Sequence, residues 1–380
     1  MSKKVLIGVM IGISAVCVAI SAKVVHDSGV LTPYPEPKYL SEEESAVRPF
    51  YNTLTNSEKS VYEALYRGVS EKKTRIPFPY EINGDTYSKV YCMLEKQEGS
   101  FFYIDSVYYT AKHLREARII MREDGNIGDK ESELEKISSE ILKKAPDGDD
   151  YDKALYIHDT IAELCEYVSG ENREYSSTVY GCLAEKKANC EGYAKSFSYL
   201  AGKLGLVSVL VTGMTDKGES HAWNQVQIDG NWYNVDTTWD DMELSGEIRH
   251  LYFLCDDSMF SKTHFPENKY FQSFECSEIE NNYYVRNGFF VSSDNDAEKV
   301  IKSELKKGKS KIELRFSDEQ VYSDFKQKFI TEQYIFRAVF ESGVDGRDVA
   351  VTLRENESEL CLTIYLEKGK NAQKIPESYF

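Results

Sequence analysis

Three side chains in the middle of the chain have the types and the order of a cysteine nucleophile site. Cys190 stands in Asn189-Cys190-Glu191-Gly192-Tyr193-Ala194, His221 opens His221-Ala222-Trp223-Asn224, and Asp236 lies in Asn234-Val235-Asp236-Thr237-Thr238-Trp239-Asp240-Asp241. A thiolate can attack a carbonyl carbon, an imidazole can hold the thiol proton, and a carboxylate can orient the imidazole. Singly these residues say little. A lone cysteine is usually a small buried hydrophobe, and Cys92, Cys165, Cys182, Cys255, Cys276 and Cys361 are read that way.

Such side chains need elements to hold them. Asn189 is a favoured helix N-cap, and Tyr193, Phe197, Leu200 and Leu204 recur at helical spacing until Gly205 ends the run. Cys190 then falls in the first helical turn. The dipole there favours a thiolate by about 0.3–1 kcal/mol, less than one pKa unit at about 1.36 kcal/mol per unit. That leaves a thiol of pKa about 8.5 mostly protonated at neutral pH, whereas pairing with an imidazolium brings such thiols to about 3–4. A histidine partner is therefore required.

From His221 the chain alternates, turns at Ile228-Asp229-Gly230-Asn231, and alternates again to Thr238. A two-residue turn at Asp229-Gly230 pairs Ile228 with Asn231, which would set His221 opposite Thr238 and Trp223 opposite Asp236. His221 and Asp236 become diagonal neighbours on one face, roughly 7–8 Å apart at the backbone and within side-chain reach. A three-residue loop would put them on opposite faces. Trp223 shares that face with Gln225, Gln227, Trp232 and Asn234 and is expected to wall the substrate site. Val226, Ile228, Tyr233 and Val235 form the packed face, and Asn224 points away as a structural residue.

With these residues in view, the chain resembles the transglutaminase-like superfamily. The resemblance is carried by Asn189-Cys190-Glu191-Gly192-Tyr193-Ala194, by Leu204-Gly205-Leu206 followed by a strand ending in Gly213, by His221-Ala222-Trp223-Asn224, and by Trp232 through Asp241. It is closest to bacterial, exported members, covers residues 151–266 closely and 57–144 more loosely, and implies Cys190 as nucleophile, His221 as base and Asp236 as orienting acid. It also implies a papain-like α+β fold in which the cysteine helix packs on an antiparallel sheet. Lys187 departs from the pattern, standing where many members have glycine. The backbone N–H of Cys190 is the expected oxyanion donor.

Bulk properties narrow the partners. A net charge of −17 and a pI near 5.0 argue against binding nucleic acid through its phosphates. The run at residues 302–311 is basic but interrupted by Glu304, and reads as a solvated face. Eight cysteines without regular spacing describe neither a disulfide scaffold nor a metal site. No metal and no cofactor is implied. Lys3 and Lys4 precede an uncharged run at residues 5–22, which as a helix would span about 27 Å against a hydrocarbon core of about 30 Å. Residues 1–22 are therefore expected to be a signal peptide or membrane anchor that places the rest of the chain outside the cytoplasm, secreted or tethered.

Further along, Pro33, Pro35 and Pro37 make residues 23–40 an extended spacer. An N-terminal α/β region is expected over 41–145. Its helices fall at 57–69, with Val61, Leu65 and Val69 on one stripe, at 86–96 after an Asn83-Gly84 turn, and at 131–144, and strand-like runs fall at 101–109 and 118–121. The catalytic core is expected over 146–270. It opens with the acidic loop 146–150, read as turn chemistry and not as a calcium loop, and continues with a helix at 151–168 in which His158 is a satisfied core histidine. A strand is expected at 251–255. A smaller α/β domain, 280–380, reads as strands at 283–291, 311–316, 348–353 and 360–366 with helices at 296–306 and 318–329, and shows no convergent titratable group.

The reading is an exported thiol enzyme that attacks amide carbonyls of protein or cell-wall peptide through an acyl-enzyme, with hydrolysis favoured over transamidation. The alternative is a non-catalytic surface module that keeps the fold for binding, against which an intact triad argues.

Overall fold

The computed structural model describes residues 34–122, 125–169, 174–241, 247–343 and 349–368. The apolar run at residues 5–22 lies outside them. Among the described residues no helix is long and apolar enough to cross a membrane.

The first part of the chain is α1 (Asn56–Ser70), β1 (Arg75–Ile82), α2 (Gly84–Gln97), β2 (Leu114–Arg118) and α3 (Ile127–Leu142). Thr55 and Glu58 cap α1 reciprocally, and Val61, Leu65 and Val69 are fully buried, as their spacing predicts. Asn83 caps α2 instead of forming a free turn. The strands are not where expected. Pro77 and Pro79 disguise β1, whose antiparallel ladder with β2 is irregular between Pro77 and Ile82. The aromatic run from Phe101 to Ile104 is buried in the core without forming a strand.

Next come α4 (Asp150–Leu164), α5 (Val179–Leu183), α6 (Cys190–Lys203), β3 (Ser208–Thr215), β4 (Ser220–Ile228), β5 (Asn231–Val235), α7 (Thr237–Asp241) and β6 (His264–Pro266). The four strands form one antiparallel sheet in the order β5-β4-β3-β6, with α6 packed on β3 and β4. This is the α+β arrangement that the resemblance implies. Asp149, from the acidic loop, caps α4 by accepting from the Asp152 N–H and also meets Arg286, so it serves as turn chemistry. The apolar run from Leu251 to Cys255 is no strand: Leu254 has a positive φ, and only a single bridge joins Cys255 to Asn234.

One continuous cluster of buried side chains runs from Leu40 to Tyr284 and takes in Cys361 of the tail, so the first α/β region and the catalytic core share their packing across position 145. Gln97 at the end of α2 reaches the central sheet directly. Its side chain exchanges two hydrogen bonds with the Leu210 backbone, at 2.9 and 3.0 Å.

A second cluster begins at Val291. It is built by β7 (Phe290–Val291), α8 (Asp294–Lys306), β8 (Lys311–Phe316), α9 (Glu319–Phe325), α10 (Tyr334–Glu341), β9 (Val349–Asn356) and β10 (Cys361–Lys368), the sheet running β9-β10-β8-β7. The expected strand at 283–291 is instead a short helix at Tyr283–Arg286 followed by β7, and α10 was not anticipated.

Candidate active site

Cys190 is placed by the start of α6. Asn189 is extended, and its side-chain oxygen accepts from the N–H groups of Glu191 and Gly192 at 3.1 and 3.2 Å, which leaves Cys190 as the first helical residue. The N–H of Asn189 in turn donates to the Ser176 carbonyl at 2.9 Å. This seat is tight. A Cβ on Gly192 would lie 2.4 Å from the Ser176 carbonyl oxygen, so only glycine lets the helix start approach that segment.

Beneath the thiol, Glu191 forms ion pairs with Lys96 at 2.7 Å and Lys195 at 2.8 Å, and Lys195 pairs with Glu95 at 2.6 Å. Burial would raise the Glu191 carboxyl, but the two ammonium groups win and hold it near about 2. The network ties α2 to α6, so the first α/β region helps to set the nucleophile. Lys187 pairs with Glu166 at 2.9 Å, beside a short parallel contact between 166–167 and 187–188.

His221 and Asp236 come together as the hairpin arithmetic requires. Asp229 and Gly230 both have positive φ, forming a two-residue turn, and the ladder pairs Ile228 with Asn231 through to Asn224 with Val235. One part of that expectation is corrected. The ladder ends at Val235, and Thr237 starts α7 instead of extending the strand, because Asp236 turns its own carboxylate onto the N–H groups that follow. Its Oδ1 accepts from Thr238 at 2.9 Å and Trp239 at 3.2 Å. Its Oδ2 lies 2.7 Å from His221 Nε2, leaving Nδ1 for Cys190, whose thiol lies beside the ring.

Charge follows geometry. Burial alone would push the Asp236 carboxyl up, but His221 and the other donors outweigh it and hold this carboxyl far below its usual range. Burial pulls the His221 imidazolium down, yet Asp236 and the Cys190 sulfur raise it to about 10. At neutral pH the imidazole therefore carries its proton, as the partner of a thiolate must.

The cleft in front of this pair has a volume of about 450 Å³, with Lys96, Glu267, Tyr270 and Phe271 on its walls. Two expectations change here. Trp223 does not line the cleft. It packs behind the base, 6.2 Å from the His221 ring, where His264 at 5.2 Å and Phe260 at 5.8 Å cover it. Cys92, read as a buried hydrophobe, lines the cleft, although burial pushes its thiol above the usual range. Asn224 is structural as expected: its amide donates to Ala194 O, Ser198 Oγ and Val209 O.

His264 belongs to the site and carried no signal in the sequence. It stands on β6, a three-residue edge strand too short to show alternation, and its Nε2 lies 3.0 Å from the same Asp236 oxygen that His221 uses. His158, by contrast, is a satisfied core histidine, bonded to Asp159 at 2.9 Å and Asp240 at 3.2 Å. Among the described residues two groups, His221-Asp236-His264 and His158-Asp159-His250, are close enough to hold a metal ion, though in both the ring nitrogens already face carboxylates. The tail does contain a convergent charged pair, contrary to expectation: Arg315 and Glu359 are buried 3.5 Å apart, and Tyr252 of the core donates to Glu359 at 3.1 Å.

Residues 136–237 match the sequence model of the transglutaminase-like superfamily. Kyphoscoliosis peptidase from Homo sapiens and that from Mus musculus are each 28% identical over 184 residues, which cover 42% of this chain and 28% of the relative. The chain thus spans under a third of the length of these curated relatives. Among solved structures, a TGase aligns at 14% identity over 38% of this chain and 45% of its own, with a TM-score of 0.28. A candidate cysteine protease from Cytophaga hutchinsonii aligns at 26% identity over 31% of this chain and 40% of its own, with a TM-score of 0.25. Residues 136–237, which carry Cys190, His221 and Asp236, form a core of the transglutaminase-like superfamily.

Proposed function

We propose that the chain is a thiol enzyme in which Cys190 attacks an amide carbonyl, His221 moves the proton between thiol and leaving amine, and Asp236 orients His221. The observation that carries this reading is the His221 ring held between the Cys190 thiol and a four-donor carboxylate at the mouth of an open cleft. Attack gives a tetrahedral oxyanion beside the Cys190 N–H, which the helix does not use. Collapse to the acyl-enzyme expels the amine with the proton from His221, and water then releases the acid. Hydrolysis is favoured over transfer to an amine, a preference supported by the two peptidase relatives. The substrate is protein or cell-wall peptide. Residues 1–22 place the body outside the cytoplasm as a leader or anchor.

The test is alkylation of the folded protein with limiting iodoacetamide from pH 5 to 11, in a Cys92→Ser background that removes the second thiol of the cleft. One thiol should react fast. The fast phase should vanish in Cys190→Ala, slow on the order of 100-fold in His221→Ala, and lose its imidazolium partner near about pH 10 in the parent. If Cys190 reacts no faster than the buried cysteines, the enzyme reading is wrong. Mass analysis of a protein substrate with added primary amine then separates backbone cleavage from amine incorporation.

A further inference from the structure

We propose that His264 is a positioning residue of the thiol site: its Nε2–H occupies the Asp236 Oδ2 lone pair that His221 leaves free, so that the carboxylate presents one fixed acceptor to the base and shares its charge between two imidazoles. This rests on the reading of Cys190 as nucleophile.

An ionised carboxylate only accepts hydrogen bonds, so a ring nitrogen 3.0 Å from Oδ2 must carry a proton. With His221 at 2.7 Å on the same oxygen, and with Thr238 and Trp239 on Oδ1, all four acceptor directions of Asp236 are filled and the group cannot rotate. His264 itself is locked. Its Nδ1 lies 2.9 Å from Thr263 Oγ1, its backbone pairs with Thr215 in the central sheet, and its side chain is fully buried. Its ring stacks on Phe260 at 3.9 Å, with Trp239 centred 4.5 Å away. It does not border the cleft; it meets the base by ring contact at 5.4 Å, and its hydrogen bond to the site is the one to Asp236.

The sign of that effect follows. A carboxylate that gives up one donor becomes a stronger acceptor for the donor that remains. Losing His264 should therefore strengthen the bond to His221 and make its imidazolium harder to deprotonate. The other titratable groups around His264 are His221 on β4, Asp236 at the end of β5, Tyr252, and Glu359 reaching over from the tail.

Two variants separate the donor from the ring. His264→Phe keeps an aromatic ring and removes the donor, while His264→Gln keeps an N–H near the Nε2 position and removes the ring. Measured by iodoacetamide alkylation of Cys190, His264→Phe should move the alkaline limb up by about one pH unit and lower the plateau rate about tenfold. His264→Gln should return the limb to the parent position. A Phe profile that superimposes on the parent overturns the proposal, as does a Gln limb displaced as far as that of Phe. Nitrogen-15 NMR of the unmodified protein gives a readout free of any folding defect. His264 Nε2 should carry a slowly exchanging proton at pH 7, and an unprotonated Nε2 overturns the proposal. A parent with no fast thiol would instead sink the enzyme reading, while the NMR result would still judge the bond to Asp236.

Discussion

His158 and His221 are both buried imidazoles raised by carboxylates, His158 to about 9 by Asp159 and Asp240 against its burial, and His221 to about 10. The folded state thus binds these protons more tightly than the unfolded chain, whose imidazoles titrate near about 6.5. The stability they contribute is complete below about pH 6.5 and is lost as pH rises through 9 and then 10. For His158 the shift corresponds to on the order of 3 kcal/mol. Urea midpoints at pH 6, 8 and 10 should fall steadily in the parent and fall less in His158→Gln. Asn224 is a second residue with a large expected effect. Its amide joins α6 to β3 at 2.9, 2.9 and 3.3 Å, and Asn224→Ala leaves the buried Ala194 and Val209 carbonyls each one donor short. The loss should be about 2 kcal/mol by urea titration.

The start of α6 matters more than its length. Gly192 sits where any Cβ meets the Ser176 carbonyl, so Gly192→Ala must push the first turn off its seat and carry Cys190 away from His221. A displacement near 1 Å costs about 100-fold in reactions that depend on alignment. Cys190 alkylation in Gly192→Ala should slow by that order while the far-ultraviolet spectrum stays unchanged; a parent-like rate would show that the helix start has room to spare. The hairpin makes the complementary case. Gly230 has φ 85° in open space, so Gly230→Ala should cost about 1 kcal/mol through backbone strain alone and leave the His221 to Asp236 contact, and hence the alkylation profile, in place.

At the scale of the whole molecule, the tail is bonded to the back of the site. Arg315 donates to the Leu251 carbonyl at 2.9 Å, Tyr252 donates to Glu359, and the N–H groups of Leu251 and Tyr252 bind Asp240 in α7. Trp239, beside Asp240, packs on Tyr252, His264 and His221. Burial raises the Glu359 carboxyl, and Arg315 opposes that rise. Arg315→Met removes the opposing charge and should destabilise the protein by about 3–5 kcal/mol. The double variant Arg315→Met/Glu359→Leu should recover most of that loss in urea midpoints, since two apolar groups leave no buried charge behind. Equal midpoints for the single and double variants would mean that the Arg315 bond to Leu251, and not the ion pair, holds the tail in place.

What was legible in the sequence was local. A cap before Cys190, a glycine after the helix, and a two-residue turn at Asp229-Gly230 are short-range instructions, and they set the cysteine at a helix start and His221 within reach of Asp236. The α+β class came from the family resemblance that the motifs around these residues carry. The strand at Arg75–Ile82 was hidden by its prolines, and the apolar runs at 101–104 and 251–255 proved to be buried irregular chain, because burial on all sides gives the same composition as a strand. Other contacts between distant segments had no sequence signal. His264 reaches Asp236 from a three-residue edge strand, Cys92 reaches the cleft from α2, and Arg315 finds Glu359 and Leu251 across two clusters. Each depends on how separate elements pack, and packing places side chains by volume and direction, which residue spacing along the chain does not encode.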